Sequence, residues 1–175
     1  YKRQGGATNA SLTFMVGGEQ AAYDRAKPYM EIMGKQFYFC GGPGQGLRAK
    51  VVQNMVGMGI FQAFAEGLVL AKKAGVDPEL MNTIIENSAA KSGLASFKAP
   101  FILNRDFTTH FSAKWMHKDV CFATDMARRL NVPVPASSVT ENMLRAAVAK
   151  GWGDDDFCSA IRVLEDWTGE EIKKA

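Results

Sequence analysis

Gly44-Gln45-Gly46-Leu47-Arg48-Ala49-Lys50-Val51-Val52-Gln53-Asn54 opens the longest helical pattern in the chain and carries one residue out of keeping with it. Lys50 stands among Leu47, Val51, Met55 and Met58, and an ammonium aimed into such a surface costs free energy unless a partner or a chemical task retains it. Asn54 follows four residues later, which stacks it on the same helical face as Lys50. The pattern predicts a single helix from about Gly46 to Ala74, roughly 40 Å long, stopped by Gly75.

Working outward from this helix, no strand is evident downstream. Asp77-Pro78 supplies a cap and a first-turn proline for a helix through about Asn87. Gly93, Pro100 and Asn104 interrupt the periodicity, so short helical pieces and loop are expected over 88–106. Helical spacing resumes over about 113–130 and 136–150, and Asp154-Asp155-Asp156 reads as an acidic helix start ahead of Phe157, Ile161 and Leu164.

Upstream, Leu12–Val16 and Lys35–Cys40 each run into a glycine pair, as short strands do. Between them 19–33 has helical spacing, with Pro28 expected to kink or split it. A strand, helix, strand unit of this size is a fragment of an α/β layer whose faces need further partners. The expectation is therefore a mostly α protein: a multi-helix domain over 43–175 built around one long helix, preceded by a short β-α-β unit over 1–42.

Composition narrows the function classes. Of 175 residues 47% are hydrophobic, which fits a globular class, and the longest apolar region is broken by Gln53, Asn54, Gln62 and Glu66, so it reads as a buried helix and not a membrane span. The net charge of +3 comes from scattered Lys and Arg without a basic, aromatic-laced stripe, which argues against nucleic acid. Cys40, Cys121 and Cys158 are odd in number and sit among apolar neighbours, as buried thiols in a reducing compartment do. Neither His110 nor His117 reads as forming a ligand spacing with a cysteine, so no metal site is expected. The chain opens on Tyr1-Lys2-Arg3-Gln4 and reads as starting inside a longer sequence.

The turn also satisfies a G-x-G-x-x-A search for a dinucleotide fingerprint. That motif requires a second parallel strand within about 30 residues, and here the sequence stays helical through Ala74. The glycines instead allow a helix N-terminus and its free N–H groups to approach a ligand closely, which makes Gly46 a candidate substrate contact. Burial and the helix terminus together are expected to lower the Lys50 pKa, which suits a general acid/base. The sequence leaves open a lysine that merely snorkels to solvent and an Asn54 that bridges neighbouring helices.

Glycine turn, lysine and asparagine together resemble the G-x-G-x-x-x-K-x-x-x-N signature of the β-hydroxyacid dehydrogenases, the family of 3-hydroxyisobutyrate dehydrogenase and tartronate semialdehyde reductase. Leu12-Thr13-Phe14-Met15-Val16-Gly17-Gly18 is similar to a strand near the end of that family's cofactor domain, and Ala65-Glu66-Gly67 falls where its long helix has Ala-Glu. Phe111 and Lys118-Asp119 resemble its F-x-x-x-x-x-x-K-D element. Val132-Pro133-Val134-Pro135 and Asp156-Phe157, with Ala160 and Leu164, resemble its last two helices.

The resemblance implies a helical domain like the C-terminal part of 6-phosphogluconate dehydrogenase behind the remnant of a Rossmann domain. By it Lys50 is the catalytic acid/base, Asn54 holds the substrate, and Lys118 and Phe111 approach the cofactor, NAD or NADP, whose main G-x-G-x-x-G motif is absent from this chain. The family's Ser-Gly-Gly substrate loop is matched only by Gly5-Gly6, so the chain alone is expected to be inactive. Implied partners are a small 3-hydroxy carboxylic acid and a second copy of the chain, in a homodimer or tetramer formed through the long helix, in cytoplasm or mitochondrial matrix. The alternatives are a non-catalytic helical association module, or tartronate semialdehyde reductase activity within the same family.

Overall fold

Leu12–Val16 (β1) and Gly34–Phe39 (β2) pair in parallel, with α1 (Gln20–Glu31) as the crossover between them. A computed structural model describes residues 8–174; the substrate-loop glycines Gly5-Gly6 lie outside the described residues. Phe14 and Phe37 face each other across the pair and stack with ring centroids 5.7 Å apart. Pro28 does not split α1; it sits near the helix's exposed C-terminal end. Of the apolar residues on its helical stripe only Met30 is buried, while Tyr29 and Met33 are exposed, as are Tyr38 and Phe39 on β2.

After β2 the glycine turn leads into α2, Gln45–Lys73, close to the expected span. Gly75, at φ 84°, ends it in the left-handed conformation, and Val76 N donates to Ala71 O at 2.8 Å. The chain divides into two compact units between Asn54 and Met55, inside this helix.

In the second unit α3 (Pro78–Glu86) starts as the sequence predicts, Asp77 Oδ1 accepting from Leu80 N at 2.9 Å. The following stretch differs from expectation. In place of short pieces, one helix, α4, runs Gly93–Leu103 through Pro100. Ser92 caps it, its Oγ accepting from Ala95 N at 3.0 Å. Burial of Ala95, Ala99, Ile102 and Leu103 outweighs the bond that the proline forfeits.

Next come α5 (Ala113–Arg129), α6 (Pro135–Ala147) and α7 (Ile161–Thr168). Helix α6 stops three residues short of expectation, because Gly151 at φ 86° draws Val148–Trp152 into a wider turn. The core gathers Met58, Phe61 and Leu68 of α2 with Ile102, Val120, Leu144, Phe157, Ile161 and Val163, each without measurable exposure. Helix α2 is long and apolar enough to cross a membrane by length and composition, yet half of its apolar window is buried inside the fold, as befits a core helix.

The segment beyond α7 is not helical but is fixed in place. Ile172 is buried at 0% exposure, its N donates to Glu165 Oε1 at 2.8 Å, and Lys174 N donates to Leu103 O at 2.9 Å. Arg105 secures both ends of this arrangement through Glu165 Oε1 at 2.5 Å and Ile172 O at 3.2 Å.

Candidate functional site

In the first unit the candidate residues follow one another along the first turns of α2. Gly46 is buried where the end of β1 meets the start of this helix. A Cβ there would collide with Met15 O and come within 2.8 Å of Gly17 N, while one on Gly17 would come within 2.7 Å of Gly42 O. Packing between strand and helix is thus a sufficient reason for glycine at 46, alongside the ligand approach argued from sequence.

Lys50 and Asn54 share a face one turn on, as their spacing requires. Asn54 is buried, at 9% exposure, whereas Lys50 is only half-buried. Of the oily neighbours that made Lys50 conspicuous, Val51 and Met58 are buried but Leu47 is exposed, so the lysine stem lies at the edge of an apolar surface and not inside one. Lys50 Nζ donates to Gln53 Oε1 at 2.7 Å. This bond orients the ammonium; the sequence reading had assigned Gln53 no part.

The other two candidates belong to the second unit and serve different surroundings. Lys118 is exposed on α5, with its Nζ 3.1 Å from Asp119 Oδ1. It lies 5.0 Å from the Trp115 ring and 5.4 Å from the Phe122 ring, both exposed on the same helical face. A cation on an aromatic surface suits an anion or a flat heterocycle. Phe111 is half-buried against the core, and its backbone is held at both ends: its N donates to Asp156 Oδ2 at 3.1 Å and its O accepts from Phe157 N at 2.9 Å.

Asp156 is the residue whose role the sequence reading missed. Expected as one of three acids at a helix start, it does cap the 3-10 turn Phe157–Ala160 that leads into α7, and it is also buried, at 1% exposure. It accepts from the backbone N–H groups of His110, Phe111 and Cys158 at 3.0, 3.1 and 3.1 Å. Its ionic partner is Lys98 Nζ, 2.8 Å from Oδ1 and also fully buried. The ammonium faces the rings of Phe97, Phe101 and Phe157 at 4.8, 5.1 and 4.8 Å. Burial alone would push the Asp156 carboxyl upward, but the Lys98 ammonium and the amides of Cys158 and Phe111 outweigh it and hold the group below the ordinary aspartate range. The pair thereby fixes the loop that delivers Phe111 and starts α5. The signal was legible: Lys98 is a lone lysine in the apolar run 94–103, the same anomaly noticed at Lys50.

Comparison with known proteins places these residues in a lineage. Residues 44–164 match the family model described as NAD-binding of NADP-dependent 3-hydroxyisobutyrate dehydrogenase, and residues 3–42 match the one described as the NAD binding domain of 6-phosphogluconate dehydrogenase. The 2-(hydroxymethyl)glutarate dehydrogenase of Eubacterium barkeri is 33% identical over 95% of this chain and 56% of its own length. The mitochondrial 3-hydroxyisobutyrate dehydrogenase of Drosophila melanogaster is 33% identical over 87% and 49%. Among solved structures, the Mycobacterium tuberculosis 3-hydroxyisobutyrate dehydrogenase with L-serine superposes with a TM-score of 0.83 at 32% identity, covering 91% of this chain and 57% of the other. That of Salmonella typhimurium gives 0.85 at 26% identity, covering 90% and 55%. The chain spans about half the length of the curated relatives it matches.

Proposed function

The chain belongs to the NADP-dependent 3-hydroxyisobutyrate dehydrogenase family, and from that premise we propose that it is the helical portion of an NAD(P)-dependent 3-hydroxyacid dehydrogenase, following a remnant of the cofactor domain over 1–42. The reaction is oxidation of a β-hydroxyacid to its semialdehyde, or the reverse. The observation that carries this reading is the order Gly46, Lys50, Asn54 on the first turns of α2, inside a stretch that the family model matches.

Lys50 is the general acid/base: it removes the proton from the substrate hydroxyl oxygen during oxidation and returns it during reduction. Gln53 steers its Nζ, and Asn54, one turn on, hydrogen-bonds the substrate. The cofactor, when bound, accepts or supplies the hydride at the carbinol carbon. The chemistry of Lys118, an exposed cation flanked by two rings, fits the cofactor's anionic or aromatic groups, and Phe111 borders the same helix start. Tight cofactor binding calls for a glycine-rich pyrophosphate cradle, which a complete cofactor domain supplies. The exposed Tyr29, Ile32 and Tyr38 are surfaces such a domain would cover.

That the substrate is a 3-hydroxy acid is supported by the names of the relatives and by L-serine, itself a 3-hydroxy carboxylic acid, with the M. tuberculosis protein. Val52, Val56, Ile60 and Leu70 stay exposed along α2, which supports self-association through this helix. A reducing compartment, cytoplasm or mitochondrial matrix, suits three free cysteines.

The test is to place the chain behind a complete cofactor domain and assay a panel of 3-hydroxyacids with both nicotinamides. Lys50→Ala is expected to lower kcat by about 10²- to 10⁴-fold while the protein stays folded. Turnover unaffected by that substitution would favour an association module in which Lys50 has no chemical task.

A further inference from the structure

Helices α5 and α6 bring together three side chains that the proposed reaction does not use. His117 and Cys121 stand four residues apart on α5, contrary to the expectation that no histidine spacing would suit a ligand pair. Across from them, Glu141 projects from α6 and is buried at 8% exposure. The donor atoms of the three lie within 4.8 Å of one another, and His117 Nε2 is 3.5 Å from Cys121 Sγ.

We propose that His117, Cys121 and Glu141 form a binding site for one thiophilic divalent cation, of which Zn²⁺ is the type, with water completing the coordination. An imidazole nitrogen at about 2.05 Å and a thiolate at about 2.3 Å from tetrahedral zinc stand about 3.5 Å apart, which is the separation observed. The carboxylate lies farther out and needs a shift of about 1 Å, within the reach of a side-chain rotation.

The surroundings are those of a built ligand set. Thr124 Oγ1 donates to Glu141 Oε2 at 2.6 Å and Arg145 donates to Oε1 at 2.5 Å, leaving each oxygen a further lone pair while fixing the plane of the carboxylate. On binding, the Cys121 thiol gives its proton to solvent and its sulfur to the metal; no electron changes hands. A softer cation is favoured over Mg²⁺ or Ca²⁺, which take all-oxygen sets. Such an ion would tie α5 to α6 one residue away from Lys118.

Co²⁺ titrated into the reduced 175-residue chain is the probe. The expected result is a thiolate-to-cobalt charge-transfer band with four-coordinate visible bands, saturating at about one ion per chain and erased by Zn²⁺. Cys121→Ser should abolish the charge-transfer band, His117→Gln should weaken affinity at least tenfold, and Cys40→Ser should leave both unchanged. Circular dichroism on each variant confirms that the helices persist. A chain that develops no such band, or one whose band survives Cys121→Ser, overturns the site and leaves a thiol–imidazole hydrogen bond in its place.

Discussion

Replacing Lys98 by Met keeps most of the stem's volume and deletes the cation that Asp156 faces. Removing one member of a buried ion pair costs about 3–5 kcal/mol, because the surviving charge is left in a low-dielectric site without its partner. Here Asp156 is 1% exposed and keeps its backbone N–H bonds and, at 3.8 Å, His110 Nδ1 but no lysine, so the upper half of that range is expected. For a chain of this size each kcal/mol moves the melting temperature by about 2–4 °C, which makes the drop roughly 8–20 °C. The pH dependence is the sharper signature. In the parent the Asp156 carboxyl is depressed, so its stabilisation is fully present above the unfolded value of about 3.9 and is lost as pH falls through the folded value. In the variant the folded value moves upward, and protonation relieves the penalty as pH falls. The stability gap between parent and Lys98→Met should therefore be widest near neutrality and shrink below about pH 4. Urea denaturation followed by circular dichroism at both pH values measures it. A loss under about 1 kcal/mol near neutrality, or one that does not change with pH, would falsify the assignment of this pair as the pin of the loop before α5.

Further predictions concern the other unit, the chain's last residues and the aromatic-flanked lysine. Gly46→Ala should destabilise the chain by about 1–3 kcal/mol in the same assay, because the new methyl meets main-chain atoms of Met15 and Gly17 that cannot turn aside; wild-type stability would mean that the junction is looser than described. Ile172→Ala should cost about 2–4 kcal/mol and raise hydrogen exchange at Lys174 and Ile172, whereas a change below about 0.5 kcal/mol would show that the tail contributes no core. In a protein with a complete cofactor domain, Lys118→Ala should raise the KM for the nicotinamide at least tenfold and leave kcat within about threefold. A kcat that falls as far as KM rises would put Lys118 in the chemistry itself.

Helix positions were largely legible because their punctuation is local. Asp77-Pro78 and Gly75 have geometric requirements that short sequence states, and the observed cap and left-handed residue follow them. Pro100 misled because a proline's cost is local while the compensation, burial of Ile102 and Leu103, is tertiary. At the site, spacing correctly put Lys50 and Asn54 on one face, but the depth of Lys50 depends on how neighbouring elements cover Leu47, which they do not. Lys98 and Asp156 are separated by 58 positions, and only the folded chain shows that one explains the other. His117 and Cys121 were readable as a pair on α5; the third donor, from α6, was not.

Because Ile172 belongs to the core, the segment that follows α7 is poor ground for engineering. Cleavage between α7 and Ile172 would withdraw an apolar plug together with the acceptor that Arg105 uses. Affinity handles are better mounted elsewhere, and trimmed versions made to aid crystallisation should stop short of Ile172.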